Sequence, residues 1–309
     1  MAEPVVSVVG VVKRYGDSTA LDGLSFEVQA GEVFVLLGAK GSGKTSTIEI
    51  LGGAASPTSG TVNVLGSSVS DPAWASEVKR RVAMLPKVLN THERMALAED
   101  LKLLANVYDA SLDVMGLLDL PDAQEKAKAR FPNPFGGQKQ VTGIAAALAS
   151  DPEIILLDDP AAGLGLEVRR LVWNLIRYWH SRGKTIILAT PDPLEAEQLA
   201  DRIGVLTRGK IMALGAPAGL LGRFGEGRAI VFRNGGDSVF GTLRRFFDAV
   251  SMEGPDIVLP FDRLRDLEVA LTALVERGLE IDFTLRTPSM EDVFQKILRS
   301  ETPATSGPS

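Results

Sequence analysis

The sequence of 309 residues predicts an α/β fold: a parallel-sheet core, a helical insertion, and a smaller C-terminal α/β module. Three observations carry this. Short continuous apolar runs at Glu32–Leu37, Ile154–Leu157 and Thr185–Leu188 suit parallel strands covered on both faces. The helical pattern Val168–His180 lies between the last two runs and completes a βαβ unit. The first run leads into Gly38–Thr45, G-A-K-G-S-G-K-T, which meets the phosphate-loop pattern G-x-x-x-x-G-K-[ST] at every fixed position.

Taken in order, Val5–Val12, Leu24–Val28, Val33–Leu37 and Thr61–Leu65 read as strands around that loop, with Gly60 and Gly66 as turn residues. Ser46–Leu51 begins a helix whose N-terminus faces the loop. From about residue 88 to 135 the pattern turns helical (Ala96–Val107, Leu112–Leu118), and Pro132, Pro134 and Gly136-Gly137 break it off. Past residue 216 a second module is expected over 217–299. Its strands are Ala229–Phe232, Ile257–Leu259 and Ile281–Leu285. Its helical stripe is Leu264, Leu267, Leu271, Leu274 and Val275, stopped by Gly278. Ser289 and Asp292 form a capping-box start for a last helix through Leu298. The Pro/Ser/Thr/Gly-rich tail beyond it, Glu301–Ser309, lacks the apolar content to fold and reads as disordered over 300–309.

Composition narrows the function. A net charge of −6 argues against nucleic acid as the main partner, because phosphate neutralisation needs a basic face. The absence of cysteine excludes disulfides, thiolate metal sites and cysteine nucleophiles. The N-terminus lacks a signal-peptide pattern, and no stretch approaches the roughly 20 apolar residues of a membrane span. A cytoplasmic protein is expected, so any membrane role requires a partner that supplies the spans.

The loop carries the chemistry. Its glycines, Gly38, Gly41 and Gly43, let backbone N–H groups turn inward on a phosphate chain, and Ala39, Lys40, Ser42 and Ser46 complete the cradle. Lys44 offers a point charge to the β- and γ-phosphates, and Thr45 a hydroxyl to Mg²⁺. At average residue usage about one chain in a hundred of this length carries the pattern by chance, and the strand–loop–helix setting lowers that. ATP and Mg²⁺ are the expected ligands.

The order of segments resembles the nucleotide-binding subunit of an ATP-binding cassette (ABC) transporter, most nearly the daunorubicin-resistance type of drug-exporter ATPase, over residues 5 to 298. The residues that carry the resemblance are Lys13-Arg14-Tyr15-Gly16, Ala20–Phe26, Pro57-Thr58-Ser59-Gly60, Gly136-Gly137-Gln138, Leu194–Ile203 and Pro288–Phe294. The resemblance implies a P-loop NTPase (RecA-like) core and an adenine-stacking role for Tyr15. It implies a signature-motif glycine core at Gly136, Gly137 and Gln138, and Mg²⁺ held by Thr45 and the Walker B Asp158. It also implies a homodimer or heterodimer that sandwiches ATP, docked to a separate transmembrane permease on the cytoplasmic face of the membrane.

The chain departs from the family pattern where hydrolysis is performed. Asp159 stands where a glutamate polarises the attacking water, and its carboxylate is one methylene short. Lys87 replaces the Mg²⁺-sensing glutamine, and an ammonium cannot ligate a cation. Phe135 replaces the signature serine and Pro134 a leucine. Gly165 replaces an aspartate, Lys40 an asparagine, and Pro191 the switch histidine. Neither histidine of the chain, His92 or His180, falls at that position. A positioned general base is worth about 10²–10⁴ in rate. From a typical turnover of about 10 s⁻¹, the altered base alone lowers it to roughly 0.1–0.001 s⁻¹. Lys44 and Asp159 are the candidate catalytic groups, and Lys87 and Lys40 candidate phosphate-facing cations. Three functions remain open: a subunit that binds Mg·ATP with weak or absent hydrolysis, which is the expectation; an active ATPase energising drug or lipid export; and a non-catalytic nucleotide-gated regulatory subunit.

Overall fold

The computed structural model describes residues 3–78, 81–85, 151–225, 227–261, 263–279 and 282–301. The expected helical insertion, with Lys87, His92, Pro134, Phe135, Gly136, Gly137 and Gln138, lies outside these residues, as does the tail from 302. The chain divides into two compact units, residues 1–217 and 218–309.

The first unit is built on two sheets. Strands β1 (Val6–Tyr15), β2 (Ser18–Val28), β4 (Ser59–Val64) and β5 (Ser67–Ser68) form an antiparallel sheet in the order β2-β1-β4-β5. The second sheet has the order β10-β9-β3-β8-β7-β6, from β3 (Val33–Leu37), β6 (Val82–Leu85), β7 (Ile154–Asp158), β8 (Thr185–Thr190), β9 (Arg202–Thr207) and β10 (Lys210–Gly215). Its five strands from β9 to β6 pair in parallel, while β10 closes the edge antiparallel to β9. The core is therefore mixed rather than purely parallel. The three apolar runs read from the sequence are its central strands, and every residue of β3, β7 and β8 is buried, as strands covered on both faces must be.

Between the sheets runs α1 (Lys44–Leu51). Its Ile48, Ile50 and Leu51 join Val6, Val8, Leu24, Phe26, Phe34, Leu36, Val62 and Val64 in one core. Phe26 of one sheet stacks on Phe34 of the other, with ring centroids 5.1 Å apart. On burial each such side chain contributes about 1.5–3 kcal/mol. Short helix α2 (Trp74–Glu77), amphipathic α3 (Leu166–Ser181) and α4 (Pro193–Leu199) complete the unit. Trp74, Trp173 and Trp179 are all buried.

Several expectations need revision. Strands β1 and β2 run past the expected ends, since the added residues Lys13–Tyr15 and Ser18–Gly23 are, but for Leu21, exposed or half-buried and carry no apolar signal for a strand. Gly60 lies inside β4 rather than in a turn. Its φ is +87°, and an added Cβ would come within 2.5 Å of the Gly10 carbonyl, so glycine there permits close approach of β1. Glu301 ends the last helix instead of starting the tail. Strands β9 and β10 were not read at all, since Gly204 interrupts the first and the second alternates on an edge.

The second unit opens with α5 (Pro217–Phe224). Its sheet has the order β12-β13-β11-β14, from β11 (Ala229–Phe232), β12 (Ser251–Glu253), β13 (Asp256–Pro260) and β14 (Phe283–Arg286), all antiparallel. Helices α6 (Gly236–Leu243) and α7 (Leu264–Val275) share a core with Ile230, Phe232, Ile257 and Leu259. The α7 stripe sits differently from the sequence pattern. Ala270, Ala273 and Leu274 are buried, whereas Leu264 and Val275 at the two ends are 75% and 65% exposed. Gly278 takes a left-handed φ of +65° just past the helix, a conformation open to glycine. The capping box of α8 (Met290–Glu301) is formed reciprocally. The Ser289 N–H donates to Asp292 Oδ2 at 2.9 Å, and the Asp292 N–H to Ser289 Oγ at 3.3 Å.

Candidate functional site

The buried strand β3 delivers the chain into the glycine-rich loop, and α1 starts at Lys44 immediately after it. The loop is tied to its neighbours through the backbone: Gly38 N–H donates to Thr190 O, Ser42 N–H to Ala39 O, and Gly209 N–H to Ser42 O. Two glycines are required by contact. A Cβ on Gly38 would come within 2.4 Å of the Leu206 carbonyl, and one on Gly43 within 2.6 Å of the Ala20 carbonyl. Gly43 also holds φ at +108° as the residue before α1.

Lys44 is 8% exposed, and its ammonium sits in the loop, donating to Gly38 O at 2.7 Å and Ala39 O at 2.9 Å. The Thr45 hydroxyl donates to Asp158 Oδ2 at 2.9 Å, across 113 residues of chain. Hydroxyl and carboxylate are thus brought to one point by the end of β7 and the start of α1. Two oxygen ligands beside a phosphate cradle fit Mg²⁺, which takes one or two protein oxygens and completes its shell with substrate phosphates and water. Among the described residues no cluster of three or more His, Cys, Asp or Glu is placed to hold a metal by itself.

These groups open on a cavity of about 470 Å³ lined by Tyr15, Ser18, Thr19, Ala20, Lys40, Gly41, Gly43, Lys44, Thr45, Ser46, Asp158, Asp159 and Pro191. The structure therefore gathers ten residues singled out in the sequence from four separate segments. Gly38, Ala39 and Ser42 stand just behind the wall, in contact with Lys44. Ser18 and Thr19 were missed and Ala20 was named only within the resemblance, because they carry no distinctive chemistry and enter through the position of β2 alone. Tyr15 is 48% exposed, its hydroxyl 3.3 Å from Glu49 Oε2 and the Lys13 ammonium 4.8 Å from its ring centre.

Asp159 adopts a left-handed φ of +50°, with its N–H held by Ala189 O at 2.7 Å. Aspartate tolerates that conformation better than most residues with a longer side chain. Gly165 precedes α3 in an extended conformation and supplies no side-chain cap to the helix. His180 lies away from the cavity, 3.1 Å from Asp201 Oδ2.

Beneath Pro191 lies a polar network that sequence reading did not find. Asp192 caps α4 by accepting from Leu194 N–H and Glu195 N–H, its own N–H donates to Thr190 Oγ1, and Arg169 pairs with it at 2.7 Å. Glu195 is 1% exposed and accepts from the Trp173 indole at 2.8 Å and from the Thr190 hydroxyl. Burial pushes its carboxyl above the ordinary value. The two hydrogen bonds oppose that rise only in part, and the nearby Asp192 and Asp159 charges add to it.

The ABC transporter family model matches residues 21–162. The Nod factor export ATP-binding protein I of Rhizobium sp. (strain N33) is 32% identical over 97% of this chain and 99% of that protein. The chain belongs to the ABC transporter family. Similar members include the Nod factor export ATP-binding protein I of Burkholderia lata, 37% identical over 68% of this chain and 70% of that protein. Another is the daunorubicin resistance ATP-binding protein DrrA3 of Streptomyces coeruleorubidus, 31% identical over 95% and 96%. Among solved structures, an ATP-binding subunit of an ABC transporter superposes with a TM-score of 0.60 at 24% identity, covering 71% of this chain and 93% of that one. A dimeric bacterial ABC transporter cassette does so with a TM-score of 0.59 at 25% identity, covering 68% and 98%. The fold is that of the family's ATP-binding subunits, a P-loop NTPase. Among the described residues no helix is long and apolar enough to cross a membrane.

Proposed function

We propose that this ABC subunit binds Mg·ATP in the glycine-loop cavity and serves an exporter whose membrane spans come from a separate permease, with ATP hydrolysis slow or absent. One observation supports it above the others: in a single cavity the binding groups Lys44, Thr45 and Asp158 converge, while the hydrolytic positions hold Asp159 and Pro191. The Gly38–Ser46 backbone cradles the phosphates, Lys44 moves its ammonium from two loop carbonyls onto them, and Thr45 and Asp158 hold the cation. Bound Mg²⁺ supplies neutralisation of phosphate charge. Asp159 is left to orient water with a short carboxylate. Pro191, without a side-chain donor, contributes nothing to the terminal phosphate. The exporter role follows the relatives named for Nod factor export and daunorubicin resistance, and dimerisation follows the dimeric cassette among the structural neighbours.

The test is nucleotide binding by titration calorimetry beside steady-state phosphate release from purified protein. Measurable Mg·ATP binding with turnover below about 0.1 s⁻¹ is expected, against roughly 10 s⁻¹ for a typical enzyme. The double variant Asp159→Glu, Pro191→His should raise turnover at least tenfold. Wild-type turnover above about 1 s⁻¹ overturns the slow-hydrolysis half, and absence of nucleotide binding overturns the whole.

A further inference from the structure

We propose that the outer edge of β14 pairs with the same strand of a second copy of this chain, antiparallel and centred on Thr284. β14 ends its sheet, with β11 on one side and, among the described residues, no strand on the other. The Arg233 N–H donates to Asp282 O at 2.9 Å, which continues the β11–β14 register as a hydrogen-bonded pair. The alternation of an antiparallel ladder then turns the backbone groups of Thr284 and Arg286 toward β11. It points the N–H and C=O groups of Phe283 and Leu285 away from β11, into the open edge.

The side chains at this edge are apolar, where a free edge is commonly blunted by charge. Phe283 and Leu285 stand opposite Phe232 and Ile230, on the face that packs against α6 and α7, yet are 37% and 51% exposed. The segment Asp282–Arg286 reads D-F-T-L-R, which about Thr284 is complementary to its own reverse. Antiparallel self-pairing sets Phe283 against Leu285 of the second copy, and the outward N–H and C=O groups of both exchange bonds. It also sets Asp282 against Arg286 of the second copy, aspartate to arginine at both ends. Within its own chain Arg286 pairs with Glu253, Nη2 to Oε2 at 2.8 Å, and the five donors of a guanidinium can serve two carboxylates. Two-fold symmetry makes each of these contacts twice, which commits the edge to a copy of itself over an unrelated strand. So short a pairing buries less than the roughly 1,200 Å² of a stable interface, so the association is reversible.

The test is disulfide trapping in the full chain, which has no cysteine of its own. In this register Thr284 faces Thr284 of the second copy in a pair without backbone bonds, with Cα atoms about 4.5 Å apart, inside the range a disulfide spans. Thr284→Cys and the control Ser251→Cys, on β12 at the opposite edge, are oxidised mildly without nucleotide, so that no ATP-sandwiched dimer forms. Covalent dimer is followed on non-reducing gels and normalised to the reactivity of each thiol with a small disulfide. Thr284→Cys should link about tenfold faster or more, because pairing holds the two thiols at high effective concentration. Leu285→Pro in that background removes only an outward-facing N–H and should bring the rate down to that of the control. Asp282→Arg, on the exposed flank, should lower it about fivefold, since like charges then meet at both ends. Thermal melts confirm that each variant folds. Equal rates for Thr284→Cys and Ser251→Cys, or a Thr284→Cys rate that neither further substitution lowers, overturn the proposal. So does a Thr284→Cys chain that links in cells to a different protein in place of its own copy.

Discussion

Replacing Gly43 by alanine tests whether the loop is held by contact or by conformation alone, and Gly41 is its internal control. Both glycines have positive φ, +108° and +83°, so an alanine at either is strained by about 1–2 kcal/mol. They differ in what a Cβ would meet. At Gly41 nothing lies within 4 Å, whereas at Gly43 the Ala20 carbonyl and the Leu21 Cδ2 both lie at 2.6 Å. The leucine methyl can rotate away. The carbonyl belongs to β2 and cannot move without disturbing the sheet, which adds about 1–3 kcal/mol of overpacking. Gly43→Ala should therefore lose about 2–5 kcal/mol and Gly41→Ala only about 1–2 kcal/mol. Urea unfolding without nucleotide, followed by tryptophan fluorescence, gives a clean reading. All three tryptophans, Trp74, Trp173 and Trp179, lie in the unit that contains the loop. Equal losses at the two positions would refute the contact argument and leave backbone strain as the sole reason for glycine at 43.

Two further outcomes concern pH. Because burial raises the Glu195 carboxyl above its usual 4.5, the native state binds more protons than the unfolded chain between that value and the raised one. Stability is thus lost as pH climbs through this window. Glu195→Gln, which keeps an acceptor for the Trp173 indole, should gain in Tm relative to wild type as pH rises from 4.5 to 8. A difference that shrinks over that range would show that the carboxylate stabilises the fold. Glu153 is the opposite case, its carboxyl held low by a hydrogen bond from Arg81, with Arg81 Nη2 2.9 Å from Glu153 Oε2. The pair stabilises above the unfolded value and ceases to as pH falls through the lowered one. Both partners are about half exposed, so Arg81→Gln should cost at most about 1 kcal/mol near neutrality and nothing at pH 2. A cost that persisted at pH 2, in urea melts, would assign the effect to packing of the arginine stem.

The glycine loop was legible because its chemistry is contiguous: eight adjacent residues carry the glycines, the lysine and the hydroxyl. The central strands were legible because strands buried on both faces read as unbroken apolar runs. Asp158, at the end of such a run, was named through the family resemblance, and its 2.9 Å hydrogen bond to Thr45 spans a separation that no local pattern encodes. The network behind Pro191 left no trace of this kind. Trp173 and Arg169 belong to α3 and Glu195 to α4, and no spacing in the sequence links them. Only the fold buries the carboxylate and points the indole at it. The ends of α7 failed for a related reason, since periodicity shows which residues share a face but not how far the neighbouring core extends.

That network bears on how hydrolysis is weakened in the proposed function. The segment Thr190–Asp192 is anchored at both ends. The Thr190 carbonyl accepts from Gly38 in the loop, and the Thr190 hydroxyl is shared with Glu195 and Asp192. Asp192 is locked by α4 and Arg169. A residue at 191 is consequently held against the cavity whatever its side chain, and proline suits the position because its missing N–H removes no bond from the network. Asp159 is fixed in the same way by Ala189, the residue before Thr190. Among the described cavity residues, the hydrolytic positions that depart from the family pattern are then Asp159 and Pro191, both held on this frame. If so, Asp159→Glu and Pro191→His should act more than additively in phosphate release, because each supplies a group the other needs around one reacting centre. Each single variant alone should give less than about a tenfold gain. Strictly additive gains would mean that the frame does not hold the two groups together, and the loss would then lie in the geometry of the loop itself.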